Sequence, residues 1–228
     1  MTRGYWFVRT SAVLAGLALA ATLTPRSAQA QGITFTPFIG SYYSFSKFFN
    51  SDVDLSNFGG SGTARFTMEQ ENTAIFGARL AVPMGATLFI EGEAGYLKSN
   101  VRFVGKNAFG PGADLSTNLS GNMIAGSVRL GYRPRRSNLN ILGGVAVVHH
   151  GGKAWDFPTN TKLTNIGGVV GFGLRAAVTP RFALTINAEM YVYSFDADKS
   201  NDTLNGFFKK TTQTDLIVSI GVPLSLTH

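Results

Sequence analysis

The chain has 228 residues, no cysteine, 27 glycines, 18 phenylalanines and a formal charge of +7 at pH 7. The lack of cysteine excludes a disulfide scaffold, a thiolate metal site and a lipid-modified N-terminus. Glycine at this frequency, recurring inside apolar runs, argues against a helical fold.

The first element is a secretory signal pattern. Met1 to Arg9 carries Arg3 and Arg9 and no acid, an apolar run covers 10–23, and Ala28-Gln29-Ala30 offers an A-x-A cleavage site before Gln31. The run is about 13 residues, too short for the roughly 20 that span a bilayer as a helix. The expected division is a signal peptide at 1–30 and one domain at 31–228. Removing Arg3, Arg9 and Arg26 leaves four more cations than anions. An exported chain with so small an excess is not expected to bind nucleic acid.

After residue 31 the apolar pattern has period 2, the mark of strands with two different faces. A first strand covers Ile33 to Phe45 with both faces mixed. A second ends in Ala74, Phe76, Ala78, Leu80 and Val82, and its alternation reaches back as far as Thr63. Pro83-Met84-Gly85 turns the chain into a third, with Leu88, Ile90, Gly92, Ala94 and Tyr96 on one face and Glu91 and Glu93 on the other. A fourth sets Ile124, Val128, Leu130 and Tyr132 opposite Ser127 and Arg129, and Arg133-Pro134-Arg135-Arg136 begins its turn. The fifth, Leu139 to His149, is glycine-rich and apolar on both faces, so its register stays open. The sixth and seventh form a hairpin about Thr179-Pro180-Arg181. Ile166, Val170, Phe172, Leu174, Phe182, Leu184, Ile186, Met190 and Val192 share one face, and Asn165, Arg175, Asn187 and Glu189 the other. An eighth runs from about Thr214 to Leu226, with Leu216, Val218 and Ile220 on one face and Asp215 on the other.

Connections at 83–85, 133–138 and 179–181 are short and contain proline, whereas those near 46–72, 99–118, 151–164 and 196–210 are long and polar. Alternation of short and long loops is the habit of an outer-membrane barrel, with short turns in the periplasm and long loops outside. Arg79, Arg129 and Arg175 precede the turn prolines Pro83, Pro134 and Pro180 at a spacing of about 50 residues, one hairpin per repeat.

A greasy face is a core in a soluble barrel and a lipid-facing wall in a membrane barrel. The apolar faces persist for about 9–13 residues, the length a tilted strand needs to cross the hydrocarbon, where ordinary strands hold about 5–6. Tyr96, Tyr132 and Phe182 end these faces, where interfacial aromatic girdles form. The expected fold is therefore all-β, an eight-stranded antiparallel up-and-down transmembrane β-barrel. Arg79, Glu91, Glu93, Arg129, Arg175, Glu189 and Asp215 would form a charge network in its lumen.

Thr36-Pro37-Phe38-Ile39-Gly40, Glu91-Gly92-Glu93-Ala94-Gly95-Tyr96-Leu97, Gly171-Phe172-Gly173-Leu174-Arg175 and Asp215 to Val222 together resemble the small eight-stranded outer-membrane barrels of Gram-negative bacteria, the OmpA-, OmpX- and OmpW-like proteins. The resemblance covers the whole mature chain as a pattern, without a catalytic motif. It implies outer-membrane localisation. The implied partners are outer-membrane lipid and lipopolysaccharide, and the barrel-assembly machinery during biogenesis, with a monomer expected. Such barrels commonly close on a terminal aromatic; this chain ends Leu224-Ser225-Leu226-Thr227-His228, with Pro223 in the last strand.

Enzymatic chemistry is not expected. His149-His150 is followed by Gly151-Gly152-Lys153, with no serine or carboxylate at a matching spacing. Asp196, Asp198 and Asp202 lack the bidentate Glu and the glycine turn of a calcium loop. Gly59-Gly60-Ser61-Gly62 lacks the Lys-Ser/Thr of a phosphate cradle. Arg133, Arg135 and Arg136 belong at the periplasmic rim, against headgroups or water. No cofactor is implied. The leading reading is a non-enzymatic outer-membrane barrel with a packed lumen and a structural or surface-contact role through its long loops. A narrow channel or hydrophobic-solute conduit is the alternative, hinted at by Ile141, Val145 and Val147 if they face the lumen. A secreted soluble ligand-binding barrel is the third.

Overall fold

The computed structural model describes residues 32–54, 56, 62–108, 112–155, 163–179, 182–195 and 211–226. The expected signal peptide with its cleavage residues Ala28, Ala30 and Gln31, and Asp196, Asp198 and Asp202, lie outside the described residues.

Among the described residues eleven strands follow in chain order: β1 (Thr34–Ser44), β2 (Phe49–Asp54), β3 (Thr63–Gln70), β4 (Thr73–Pro83), β5 (Leu88–Lys106), β6 (Leu115–Tyr132), β7 (Leu139–Gly151), β8 (Thr164–Thr179), β9 (Phe182–Phe195), β10 (Thr211–Gly221) and β11 (Leu224–Ser225). Eight of them close a barrel. β4 to β10 pair in sequence order, and β1 closes the circle by pairing with both β4 and β10, every pair antiparallel. Closure pairs the strand edges of the barrel wall, which a sheet in hydrocarbon requires.

The wall has inverted polarity. Val145 is 64% exposed, Ile166 72% and Val128 60%, while Arg79, Arg129 and Glu189 are 2% exposed or less. In water this arrangement would be unstable, because it solvates the apolar surface and buries the charge. In a bilayer it is the required one. This overturns the soluble ligand-binding barrel. The aromatic belts are present: Tyr132 and Phe182 are exposed at the short-turn end, and Phe76 lies beside Tyr96 on the outer wall. The register of β7 is also fixed. Ile141, Val145 and Val147 face outward, contrary to the hint of a greasy lumen, and Leu142, Ala146 and Val148 face inward. β1 turns Phe38 and Tyr42 in and Ile39 out.

Three boundaries differ from the sequence reading. The alternation from Thr63 to Val82 is broken at Glu71-Asn72. There the Glu71 amide donates to Asn100 O and Asn72 Oδ1 accepts from the Ser44 amide, so β3 and β4 are separate strands laid end to end along β5. The connection at 99–118 is largely strand, because β5 and β6 stay paired as far as Gly105 and Leu115. Beyond the barrel rim β2, β3, β5 and β6 therefore continue as an extracellular sheet. Its β2–β3 hairpin carries an exposed two-point Arg65–Asp52 pair at 2.6 and 2.9 Å. At the other end β10 is interrupted after Gly221, where Pro223 removes a ladder donor, and β11 continues along β1 in the same register, with Leu224 opposite Phe35 and Ser225 opposite Thr34.

Candidate functional site: a charge cluster across the lumen

The lumen of an eight-stranded barrel is just wide enough for side chains to fill, and here it is filled at mid-height by ions. Arg79 on β4 donates from Nε to Glu93 Oε2 on β5 at 2.5 Å, and its Nη2 donates to Ser219 Oγ on β10 at 2.7 Å. Arg129 on β6 donates from Nη2 to Glu93 Oε2 at 2.8 Å and to Glu91 Oε1 at 2.7 Å. Glu189 on β9 lies 2.9 Å from Arg129 Nη1 and 3.3 Å from Arg79 Nη2. Those last two contacts are ionic without hydrogen-bond alignment, and neither Glu189 oxygen has a donor. Tyr191 donates to the other Glu93 oxygen at 2.7 Å, and the Arg79 guanidinium lies 4.0 Å from the centre of the Phe38 ring.

Two guanidinium groups thus meet three carboxylates, with all four charged side chains of the Arg79–Glu93–Arg129–Glu189 core at 1% exposure or less. Small inward residues make room for them. A Cβ on Gly77 would stand 2.6 Å from the Phe38 ring, and one on Gly171 would stand 2.9 Å from Glu189 Cγ.

Of the seven residues placed in the lumen by their alternation, Arg79, Glu91, Glu93, Arg129 and Glu189 come together. Asp215 and Arg175 point into the lumen but do not join them. Asp215 lies towards the extracellular side and accepts from Tyr193 Oη at 2.9 Å. Arg175 lies towards the short turns, lining a periplasm-facing vestibule with Arg133. Sequence reasoning missed Tyr191, Ser219 and Phe38. The inward parity of Tyr191 with Glu189 was the available signal for the first.

Above the charges Ile75, Leu97, Met123, Val148, Val169 and Ile217 face in at 2% exposure or less, interrupted by the buried Asp215–Tyr193 pair and by Gln213. Its extracellular mouth is stopped by aromatic rings. Phe48 and Trp155, from connecting segments, meet at 4.9 Å between centroids, and Phe195 lies 4.9 Å from Phe48. His150 is fully buried among these rings, 3.3 Å from Tyr193 Oη, whereas His149 faces outward and meets Thr164 Oγ1 at 2.8 Å. The two histidines therefore stand on opposite faces of β7 and do not converge on one centre.

No family model matches this chain, and no characterised protein matches it in sequence. Solved structures do match. The outer-membrane protein OprG of Pseudomonas aeruginosa superposes with a TM-score of 0.56 at 12% identity, over 87% of this chain and 98% of that one. The outer-membrane protein AlkL, solved in lipid bilayers, gives 0.54 at 14% identity, over 91% of this chain and 97% of that one. The fold is that of small outer-membrane barrels, and the likeness spans nearly the whole of each.

Proposed function

We propose that this chain is a non-enzymatic outer-membrane barrel with a closed lumen. Its role is structural or is carried by surface contacts of the extracellular sheet. The observation that carries this reading is the Arg79–Glu93–Arg129–Glu189 cluster, which joins β4, β5, β6 and β9 across the bore. Opening a path there would separate charges already out of water, and breaking a buried pair costs about 3–5 kcal/mol. The aromatic stopper of Phe48, Trp155 and Phe195 is a second closure in series. On this reading the wall contacts outer-membrane lipid and lipopolysaccharide, assembly requires the barrel-insertion machinery, and the barrel acts as a monomer.

The test is planar-bilayer recording on the purified, folded protein. Silence at moderate voltage is expected, and a steady large conductance would overturn the closed lumen.

A narrow conduit for small hydrophobic solutes is the second reading, favoured by the apolar side chains of Ile75, Leu97, Met123 and Val169 between stopper and charges. It predicts faster uptake of an apolar solute into vesicles carrying the protein than into empty ones. It also predicts a change in that rate when Phe48 is replaced by alanine.

A further inference from the structure

Below the charge cluster the barrel opens to the short-turn side in a vestibule of about 340 Å³. That volume is in the range of small-molecule sites. Arg133, Arg175, Arg79 and Glu91 line it. Arg79 and Glu91 are engaged in the cluster, Glu91 with Arg129 at 2.7 Å. Among the described residues neither Arg133 nor Arg175 has a carboxylate within ion-pair distance, and Arg133 Nε is buried with no hydrogen-bond partner. Burial, and then the facing charge of Arg175, hold the Arg133 guanidinium below its ordinary pKa, with Glu91 acting the other way. Two like charges turned into one cavity repel each other, and an anion between them relieves that repulsion.

The cavity is more than a pair of cations. Arg133 lies over the Phe89 ring, 5.4 Å from its centre, and a Cβ on Gly131 would stand 2.0 Å from that ring, so glycine is what admits it. This holds the guanidinium by a cation–π contact. Asn140 is 7% exposed with an unpartnered Oδ1, and Asn187 is 6% exposed; both line the vestibule. Phe89, Leu142 and Pro223 supply apolar wall.

We propose that this vestibule is a periplasm-facing binding site for a small amphiphilic carboxylate, with Arg133 and Arg175 taking the carboxylate and Phe89 and Leu142 packing its apolar body. A planar carboxylate suits guanidinium donors, which present parallel N–H groups. The site lies on the periplasmic side of the charge cluster, so it stands whether or not the lumen conducts.

The test is isothermal titration of the full barrel, folded in a non-ionic detergent and a carboxylate-free buffer, with hexanoate, hexanamide and inorganic phosphate. Hexanoate should bind saturably and at least about tenfold more tightly than hexanamide, a difference of about 1.4 kcal/mol. Arg133→Gln, in a turn where folding is least at risk, should weaken hexanoate by a similar factor and leave hexanamide unchanged. Equal binding of hexanoate and hexanamide would overturn the proposal, and so would an unchanged affinity in a folded Arg133→Gln protein. Phosphate binding as tightly as hexanoate would also overturn it, by showing a general anion site. Conductance is not involved, so failure here is distinct from failure of the closed-lumen reading.

Discussion

Arg79 and Ser219 lie 140 positions apart in the chain and are joined by a 2.7 Å hydrogen bond inside the barrel. β1 stands between their strands, pairing with β4 on one side and β10 on the other. The guanidinium therefore passes behind the first strand and ties its neighbour to the last, reinforcing the seam at which the barrel closes. A hydrogen bond to a charged group is worth about 1.5–3 kcal/mol when buried. Ser219→Ala should lower stability by that amount, read from the urea midpoint and from the temperature at which the compact gel band is lost. A loss under about 0.5 kcal/mol would show that Arg79 finds another acceptor and that the seam does not depend on it.

The cluster has one more carboxylate than it has guanidinium groups, and Glu189 is the least well held. Both its oxygens lack a donor, whereas Glu93 is bonded to Arg79, Arg129 and Tyr191. Glu189→Gln keeps the volume, so it should stay within about 1 kcal/mol of the parent protein. Arg129→Glu leaves Glu91, Glu93 and Glu189 facing a fourth carboxylate, and it should cost about 3–5 kcal/mol or prevent folding. Urea titration of both variants in the same vesicles distinguishes them. Equal damage from the two would mean that the Glu189 carboxylate matters to the cluster as much as Arg129 does.

Which face each residue takes was legible in the sequence; its height in the barrel was not. Alternation alone puts Arg79, Glu93, Arg129, Arg175, Glu189 and Asp215 inside. Height comes from strand register, which depends on pairing partners distant in the chain. Glu189 sits opposite Gly171 and Ile217, which leaves Arg175 opposite Thr185 towards the periplasm and Asp215 opposite Tyr191 towards the outside. The same ignorance of register hid Ser219 as an acceptor for Arg79. β7 was ambiguous for another reason: Leu142, Ala146 and Val148 pack apolar lumen while Ile141, Val145 and Val147 meet lipid, so no polar residue marks the inside until Asn140 and His150 at its ends. The alternation of β3 was visible back to Thr63, but the extensions of β5 and β6 were read as loop, because Asn100, Ser116, Thr117, Asn118 and Ser120 fill exposed positions with residues shared by irregular segments. Arg133 was read as a rim charge because a turn sequence does not show that Phe89 draws the guanidinium inward.

Two glycines on one strand give a direct check of which way β8 faces. A Cβ on Gly171 would stand 2.7 Å from Ala188 O and 2.9 Å from Glu189 Cγ, whereas one on Gly168 meets nothing nearer than Gly144 O at 3.8 Å. Gly171→Ala crowds backbone and the charge cluster together, and overpacking of this kind costs about 1–3 kcal/mol. Gly168→Ala adds a methyl to the lipid face and should change stability by no more than about 0.5 kcal/mol. Comparing the two urea midpoints tests the orientation without altering any charge, and a reversed order would place the strand the other way round.

The membrane reading itself meets its sharpest test at Val145. It lies in the middle of β7, 64% exposed, opposite Val128 on one neighbour and Gly168 on the other. If the outer wall faced water, Val145→Arg would be an ordinary surface change within about 0.5 kcal/mol. Facing hydrocarbon near the midplane, the arginine should cost about 2–4 kcal/mol. Val145→Leu supplies the control, because it enlarges the side chain and leaves the polarity alone. Folding each variant into phosphatidylcholine vesicles and titrating with urea gives the two numbers. A penalty for arginine with none for leucine ties the cost to charge in lipid. An arginine variant as stable as the parent would mean that the exposed apolar wall is covered by something other than a bilayer.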